Sequence, residues 1–214
     1  MSLKQKVIAI DGPSASGKGT VASRVAEALG FLYLDSGALY RLTALYAQKQ
    51  NVAWSDEDAV STLAETLPAQ FEGSVVLLNG ENVSEQIRTE AIGMGASAVA
   101  QLPKVRTALL QRQRDFLTEK GLVADGRDIG SVIFPDAALK IFLTASANVR
   151  AQRRAKQLGI PCEGVAFERI LSDIEARDEA DRRRPVAPLK QLPDALLLDT
   201  DNLSIEEAVK KVLD

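Results

Sequence analysis

The residue types and spacing that indicate chemistry most directly lie in a short segment near the start of the chain. It consists of Gly12, Pro13, Ser14, Ala15, Ser16, Gly17, Lys18, Gly19 and Thr20, with two glycines and a lysine in the spacing G-x-x-x-x-G-K. Glycines let backbone N–H groups turn inward around an anion, and the lysine supplies a mobile positive charge for the outer phosphates. The pattern predicts that residues 12–20, the phosphate loop, bind a nucleoside triphosphate.

The segments on either side of the phosphate loop support this interpretation. Residues 7–10 are apolar and rich in β-branched residues, as expected for a buried strand, and Val21, Val25, Ala28 and Leu29 repeat at helical spacing after the loop. A strand, a glycine loop and a helix in this order put the helix N-terminus at the anion. An ordinary glycine-rich turn between strand and helix is the alternative, but it does not require the lysine at this spacing.

One position of the loop departs from the common pattern. Gly19 directly follows Lys18, where the usual loop has a serine or threonine whose hydroxyl binds Mg²⁺, and Thr20 comes one residue late. Mg²⁺ keeps several waters and binds substrate phosphates. We therefore expect a shell of water and phosphate around the metal, with Asp125, at the end of an apolar strand, holding metal-bound water.

Composition excludes several classes of function. The chain of 214 residues has no histidine, so histidine acid–base chemistry and histidine metal ligands are absent, and its single cysteine, Cys162, excludes an internal disulfide framework. The net charge of −3 argues against non-specific binding of nucleic acid. The sequence lacks an apolar run of 18 residues and a signal-peptide pattern. We expect a cytoplasmic monomer without a membrane or nucleic-acid partner.

Strand patterns alternate with helical patterns along the chain. This alternation predicts an α/β fold with a parallel sheet covered by helices on both faces. Further strands are predicted at 31–34, 121–125, 139–143 and 195–198, and further helices at 38–48, 56–67, 84–100, 103–120, 148–157, 167–177 and 204–213. We expect one domain over 1–214, with a core at about 1–55 and 103–214. Residues 56–102 interrupt the alternation and predict an inserted lobe with a hairpin at Asn79-Gly80, and residues 154–163 predict a lid.

Four further clusters of polar residues could form a second anion site. They are DSGALYR at 35–41, DGRD at 125–128, Arg106 with Ser97 upstream, and the arginine-rich segment 177–184. The first two follow predicted strands, and the carboxyl ends of parallel strands meet at one edge of a sheet. Arginine suits phosphate recognition and charge neutralisation in phosphoryl transfer. The alternatives are an exposed helix charge at Arg41, a turn cap at Asp125 and a surface basic run at 182–184.

Taken together and in order, four segments resemble the bacterial-type cytidylate kinases of the nucleoside-monophosphate kinase family. The segments are GPSASGKGT, DSGALYR, VADGRDIGSVIFPDA and RDEADRRRPVAPL. The resemblance implies a three-layer P-loop nucleoside-monophosphate kinase fold, in which the insert closes over the monophosphate and a short arginine-bearing lid covers ATP. It also implies the reaction of ATP with CMP or dCMP to give ADP and CDP or dCDP, with Mg²⁺.

The resemblance also implies roles for individual residues. The phosphate loop would bind ATP together with Arg153 and Arg154, which, like Arg150, resemble the arginines of the lid. The acceptor nucleotide would contact Ser36, Arg41, Ser97, Arg106, Arg127, Asp128, Arg177, Asp181 and Arg184, with Arg41 and Arg127 on the phosphate and Ser97, Arg106, Asp128 and Arg184 facing cytosine. The catalytic set would be Lys18, Arg127, Arg177 and Asp125.

Three rival functions remain open at this point. The nearest is a kinase for another small acceptor, such as UMP or shikimate. A second is a nucleotide-dependent switch, although the sequence has no N-K-x-D stretch for reading guanine. A third is a nucleic-acid binder that uses Arg182, Arg183 and Arg184, which the acidic net charge disfavours.

Overall fold

The computed structural model describes residues 6–73 and 75–214, which form two compact units. One unit consists of the chain up to Leu34 together with Phe116–Asp214, and the other is Asp35–Asp115. The predicted insert at 56–102 falls within the second unit, which extends beyond it on both sides. Residues 1–5 of the predicted core and Ser74 of the predicted insert lie outside the described residues.

Strands and helices alternate through most of the chain. The strands are β1 Val7–Asp11, β2 Leu32–Asp35, β3 Ala69–Glu72, β4 Val75–Leu78, β5 Glu81–Asn82, β6 Leu122–Gly126, β7 Leu139–Thr144 and β8 Leu196–Asp199. The helices are α1 Lys18–Leu29, α2 Ser36–Lys49, α3 Glu57–Glu65, α4 Glu90–Val99, α5 Pro103–Arg114, α6 Ala147–Leu158, α7 Gly164–Arg183 and α8 Ile205–Leu213. In the described part of the chain, no helix is both long and apolar enough to cross a lipid bilayer.

The predicted parallel sheet is confirmed. Its strand order is β2-β6-β1-β7-β8, and β1 pairs in parallel with β6 on one side and β7 on the other. Val7, Ala9 and Ile10 of β1 are buried, so this central strand is covered on both faces, which is why residues 7–10 are apolar. On one face, Ile10 packs with Val21 of α1 and with apolar residues of α8. This core fixes the position of the segment that follows β1.

The second unit combines helices with a small antiparallel sheet. Helix α2 packs against α4, and α3 packs against α5. Strands β3, β4 and β5 form the sheet in that order. Asn79 and Gly80, with φ of 51° and 78°, connect β4 to β5, because this two-residue turn requires left-handed backbone that asparagine and glycine adopt readily. The predicted hairpin is confirmed.

Two predicted helices are too long. The pattern over 84–100 is interrupted at Thr89, whose backbone is extended (ψ 155°) and whose hydroxyl donates to the Gln86 carbonyl at 2.9 Å. A short 3₁₀ turn, Gln86–Arg88, precedes this break, and α4 follows it. Helix α5 ends at Arg114 rather than Lys120, because the Thr118 carbonyl accepts from Gly121 N–H in a turn that leads into β6. Side chains and turns of this type compete with helical hydrogen bonds.

The chain after β6 differs from the prediction in two details. Helix α7 has 20 residues and begins at Gly164, earlier than the predicted start at 167. A π-helical turn, Ile129–Ile133, follows β6 and was not predicted. A capping box begins α8: Ser204 Oγ accepts from Glu207 N–H at 3.2 Å, and the Glu207 carboxylate accepts from Ser204 N–H at 2.8 Å.

Candidate active site

The phosphate loop connects β1 to α1 in a conformation that suits an anion. A Cβ built on Gly12 would lie 2.0 Å from the Leu143 carbonyl oxygen, so no larger residue fits there. Ala15 and Gly17 have left-handed φ values of 56° and 87°, and loops that include left-handed residues direct successive N–H groups into one concavity. The Ser16 hydroxyl closes the loop by donating to the Pro13 carbonyl at 3.0 Å. The backbone thus has the shape expected of a phosphate-binding loop.

Lys18, the first residue of α1, lies beside Asp125 near the end of β6. Its Nζ is 4.0 Å from one carboxylate oxygen of Asp125, and the Tyr33 hydroxyl donates to the other at 2.7 Å. β6 is the neighbour of β1, so the register of the sheet brings this carboxylate to the phosphate loop. Sequence analysis identified Lys18 and Asp125 but missed Tyr33, whose apolar neighbours gave no sign that its hydroxyl reaches a carboxylate.

The surroundings of Asp125 are compatible with Mg²⁺ but not with a metal site made of protein ligands alone. Within the described residues, no group of three or more aspartate, glutamate or cysteine side chains could hold a metal ion. A Cβ on Gly19 would lie 3.4 Å from the Tyr33 hydroxyl and 3.8 Å from the Asp125 carboxylate. One buried carboxylate fits an ion that takes its other ligands from water and phosphate.

Two ionic contacts join the DGRD segment at 125–128 to helix α7 and to Arg184, the residue that follows this helix. Arg127 Nε donates to Asp181 at 2.7 Å, and Arg184 Nη2 lies 3.8 Å from the Asp128 carboxylate. Asp128 and Arg184 are both buried. Arg177 lies on α7 one turn before Asp181. The structure therefore brings together the predicted acceptor residues of the first unit.

Asp11, at the end of β1, holds the turn that follows the DGRD segment. Its two carboxylate oxygens accept from Ile129 N–H and Gly130 N–H, each at 2.8 Å. Burial raises the pKa of Asp11 from 3.8 to about 6, although the two N–H donors oppose this shift. Sequence analysis missed this function of Asp11, because the N–H groups it binds belong to the unpredicted turn Ile129–Ile133, more than 100 residues away.

Three arginines of α6 occupy different surroundings. Arg150 is buried and forms a two-point ion pair with Asp178 of α7. Arg153 donates to the Ser16 carbonyl at 3.3 Å and to Thr200, while Arg154 is half-buried on the same helix. Arg150 and Arg153 thus contact the phosphate loop through its backbone, since Arg150 also donates to the Ser14 carbonyl at 3.1 Å. Asp178 was not predicted as a site residue.

The remaining predicted residues lie in the second unit. Arg41 donates to the Ile87 carbonyl at 2.7 Å, and the Ser36 hydroxyl donates to the side-chain oxygen of Gln113 at 2.6 Å. Arg106 is buried, donates to the Ala100 carbonyl at 3.0 Å and stacks 5.6 Å from the centre of the Tyr40 ring. The Ser97 hydroxyl donates to the Gly93 carbonyl at 3.1 Å. These contacts fix the orientation of each side chain within the unit.

A lysine-bearing phosphate loop beside a strand-end carboxylate, on the carboxyl edge of a parallel sheet, defines the class of P-loop kinases. Comparison with known proteins narrows this class. The family model described as Cytidylate kinase matches residues 8–214, so the chain belongs to the cytidylate kinase family. The resemblance and the fold class inferred from sequence are both confirmed.

Relatives and solved structures agree with this assignment. A cytidylate kinase of Neisseria meningitidis (strain MC58) is 80% identical over 211 residues, covering 99% of this chain and 97% of that protein. A cytidylate kinase of Chromobacterium violaceum is 60% identical, covering 97% of this chain and 94% of that protein. An uncharacterized protein from Eubacterium ventriosum shares the fold, with a TM-score of 0.53 at 11% identity, over 98% of this chain and 96% of its own.

Proposed function

We propose that the chain transfers the γ-phosphoryl group of ATP to CMP or dCMP, giving ADP and CDP or dCDP. The observation on which this proposal rests is the 80% identity to a cytidylate kinase over almost the whole chain. The predicted alternatives, a nucleotide-dependent switch and a nucleic-acid binder, have no comparable support.

The phosphate loop and Lys18 would bind the donor. Backbone N–H groups of residues 12–20 would surround the ATP phosphates, and Lys18 would neutralise charge on the transferred group. The Lys18 side chain is 12% exposed, so its charge is weakly screened by solvent. In the nucleotide-bound protein, Arg153 and Arg154 would lie on the ATP side of the site.

Several of the predicted arginines would bind the acceptor. Asp181 engages Nε of Arg127, so a phosphate would be bound through the two Nη groups of Arg127, together with Arg177 and Arg41. Ser97, Arg106, Asp128 and Arg184 would face the cytosine, and Asp181 would reach the ribose. Ser36 would contribute to the same acceptor site. A planar guanidinium suits each phosphate contact because it donates two parallel hydrogen bonds.

The reaction would require positioning and charge stabilisation rather than proton transfer. An oxygen of the CMP phosphate attacks the γ-phosphorus in line, the new O–P bond forms, and the bond from the γ-phosphorus to the bridging oxygen of ADP breaks. The attacking oxygen is already anionic, so no general base is needed, in accordance with a chain that has no histidine. Lys18, Arg127 and Arg177 would stabilise charge on the transferred group.

Mg²⁺ would be held by Asp125 through water and by the phosphates. When bound, the ion neutralises negative charge on the phosphates that are being transferred. The hydrogen bond from Tyr33 would keep the Asp125 carboxylate oriented towards that water, and Gly19 would leave room for it.

Two mobile segments would protect the reaction from water. The insert at 56–102 would close over the monophosphate and the lid at 154–163 over ATP, which suppresses hydrolysis of ATP. We further propose that the protein acts as a cytoplasmic monomer without a nucleic-acid partner.

Formation of ADP against a panel of acceptors tests the proposed function. CMP, dCMP, UMP, AMP and shikimate are each supplied with ATP and Mg²⁺. We expect rapid ADP formation with CMP and dCMP and much slower formation with the other acceptors. Slow ADP formation that is the same with and without every acceptor would indicate a nucleotide-dependent switch and contradict the proposal.

A further inference from the structure

The ion pair between Arg150 and Asp178 lies next to the phosphate loop and has no place in the reaction described above. Both side chains are buried, 3% and 5% exposed. Arg150 Nη1 and Nη2 donate to the two oxygens of the Asp178 carboxylate at 3.0 Å and 2.5 Å. A buried pair of this geometry uses the full planar fork of the guanidinium.

The same guanidinium also binds the backbone on either side of it. Arg150 Nε donates to the Ala145 carbonyl at 2.9 Å, within the connection from β7 to α6. Arg150 Nη1 donates to the Ser14 carbonyl at 3.1 Å, within the phosphate loop. Asp178 therefore fixes the orientation of a guanidinium that links α6 and α7 to the loop.

The carbonyl of Ser14 matters for anion binding because of peptide geometry. The N–H of Ala15 belongs to the same planar peptide group and points away from that carbonyl. Holding the Ser14 carbonyl towards Arg150 therefore directs the Ala15 N–H to the opposite side. Ala15 is also the non-glycine residue of the loop with left-handed φ, a conformation that persists only when the surroundings enforce it.

We propose that Asp178 is a positioning residue for the phosphate loop, which it holds in its anion-binding shape through Arg150 and the Ser14 carbonyl. Asp178 touches neither nucleotide in this account. The inference rests on the proposed function, because it deepens the description of the ATP site. Helix α7 would then carry two such residues: Asp178, which positions the phosphate loop, and Asp181, which accepts a hydrogen bond from Arg127.

Two variants disrupt the ion pair between Arg150 and Asp178 in different ways. Asp178→Asn removes one acceptor oxygen and the negative charge, so Arg150 loses its fixed orientation. The double change Arg150→Met with Asp178→Leu replaces the pair by apolar side chains, which buried sites often tolerate without loss of stability. The matched control is Glu179→Gln, the same type of change one residue along α7, where an exposed carboxylate pairs with Arg183 on the surface.

The experiment combines amide hydrogen exchange of the nucleotide-free protein with steady-state kinetics. We expect Asp178→Asn and the double variant to speed exchange of the backbone amides at 14–17 at least tenfold, with exchange in β6 unchanged. We also expect KM for ATP to rise about tenfold while KM for CMP changes less than twofold, since a charged hydrogen bond is lost. Glu179→Gln should match the wild type in both measurements.

Other outcomes overturn the inference. If loop exchange and KM for ATP stay at wild-type values in the double variant, the pair is structural only. If KM for CMP rises more than KM for ATP, Asp178 belongs to the acceptor site. If Asp178→Asn does not fold, the measurements on the double variant alone decide whether Asp178 positions the phosphate loop. Hydrogen exchange needs no substrate, so a wild-type protein that lacks CMP-dependent activity would contradict the proposed function without affecting this test.

Discussion

The Tyr33 hydroxyl donates a 2.7 Å hydrogen bond to Asp125 and lies 3.4 Å from the position that a Cβ of residue 19 would occupy. The glycine that replaces the usual loop serine or threonine therefore faces a hydroxyl from β2. This hydrogen bond connects the departure of residue 19 from the usual loop sequence to Asp125, the carboxylate that we propose holds metal-bound water.

Removing the Tyr33 hydroxyl should weaken the response to Mg²⁺. We expect Tyr33→Phe to raise the Mg²⁺ concentration needed for half-maximal activity about three- to tenfold, because Asp125 loses the donor that orients it. The measurement is ADP formation over a Mg²⁺ titration at saturating ATP and CMP. Tyr46→Phe, on α2, is the matched control. An unchanged Mg²⁺ dependence in Tyr33→Phe would show that the hydroxyl only stabilises the fold.

Arg127 should bind the acceptor rather than the donor. We expect Arg127→Lys to weaken CMP binding about tenfold and to leave ATP binding within twofold, since an ammonium cannot replace the two-point guanidinium contact. Titration calorimetry with each nucleotide separately measures both affinities. Lost ATP affinity with unchanged CMP affinity would mean that the two sites are assigned in reverse.

Asp128 should contribute to the choice of cytosine over uracil. Cytosine presents N3 as an acceptor and an amino group as a donor, whereas uracil presents an N3–H and a carbonyl. Arg106 and Asp128 would therefore match the hydrogen-bonding groups of cytosine and mismatch those of uracil, which implies a preference for CMP of roughly 10²- to 10⁴-fold.

We expect Asp128→Asn to reduce this preference at least tenfold, because its amide can donate to the uracil carbonyl. The ratio of kcat/KM for CMP and UMP measures the effect. The 3.8 Å contact of Asp128 with Arg184 offers the alternative that Asp128 only orients that arginine. In that case activity on CMP and UMP would fall in parallel and the ratio would stay constant.

The raised pKa of Asp11 predicts a pH dependence of stability. The pKa of this carboxyl is about 6 in the folded protein, above the usual 3.8. Between these two pH values, the folded state therefore holds a proton that the unfolded state has lost. The contribution of this carboxyl is fully present below pH 3.8 and is lost as the pH rises through 6. A shift of about two units corresponds to about 3 kcal/mol.

The measurement compares the wild type with Asp11→Asn. Both proteins contain the same other carboxylates, so the effects of those groups on the free energy of unfolding cancel in the difference. We expect the free energy of unfolding of the wild type, relative to Asp11→Asn, to fall by about 2–3 kcal/mol between pH 4 and pH 7. Urea titrations at several pH values give this difference. A difference that stays constant with pH would show that Asp11 titrates normally in the folded protein.

Local patterns explain which parts of the fold the sequence predicts well. The segment that contains β1, the phosphate loop and α1 combines β-branched residues, loop glycines and helical spacing. The start of α8 has its full capping box within four residues. In both segments, neighbouring residues determine the structure, so periodicity and turn chemistry are sufficient.

Contacts between distant segments explain what the sequence does not predict. The two N–H groups that Asp11 binds are 118 and 119 residues away, Tyr33 and Asp125 are 92 apart, and Arg150 and Asp178 are 28 apart. Only the packing of the sheet and of α6 against α7 brings these groups together. A buried aspartate within a helix, such as Asp178, has the same sequence pattern as a solvent-exposed one.

Transfer of a labelled phosphoryl group from ATP to CMP tests the central claim most directly. The enzyme is supplied with ATP labelled at the γ-phosphate, Mg²⁺ and CMP, and the products are separated. We predict that the label appears in the β-phosphate of CDP, and that Lys18→Ala slows this transfer at least tenfold, since the lysine stabilises the transferred group. Label released only as inorganic phosphate, at a rate independent of CMP, would contradict the account.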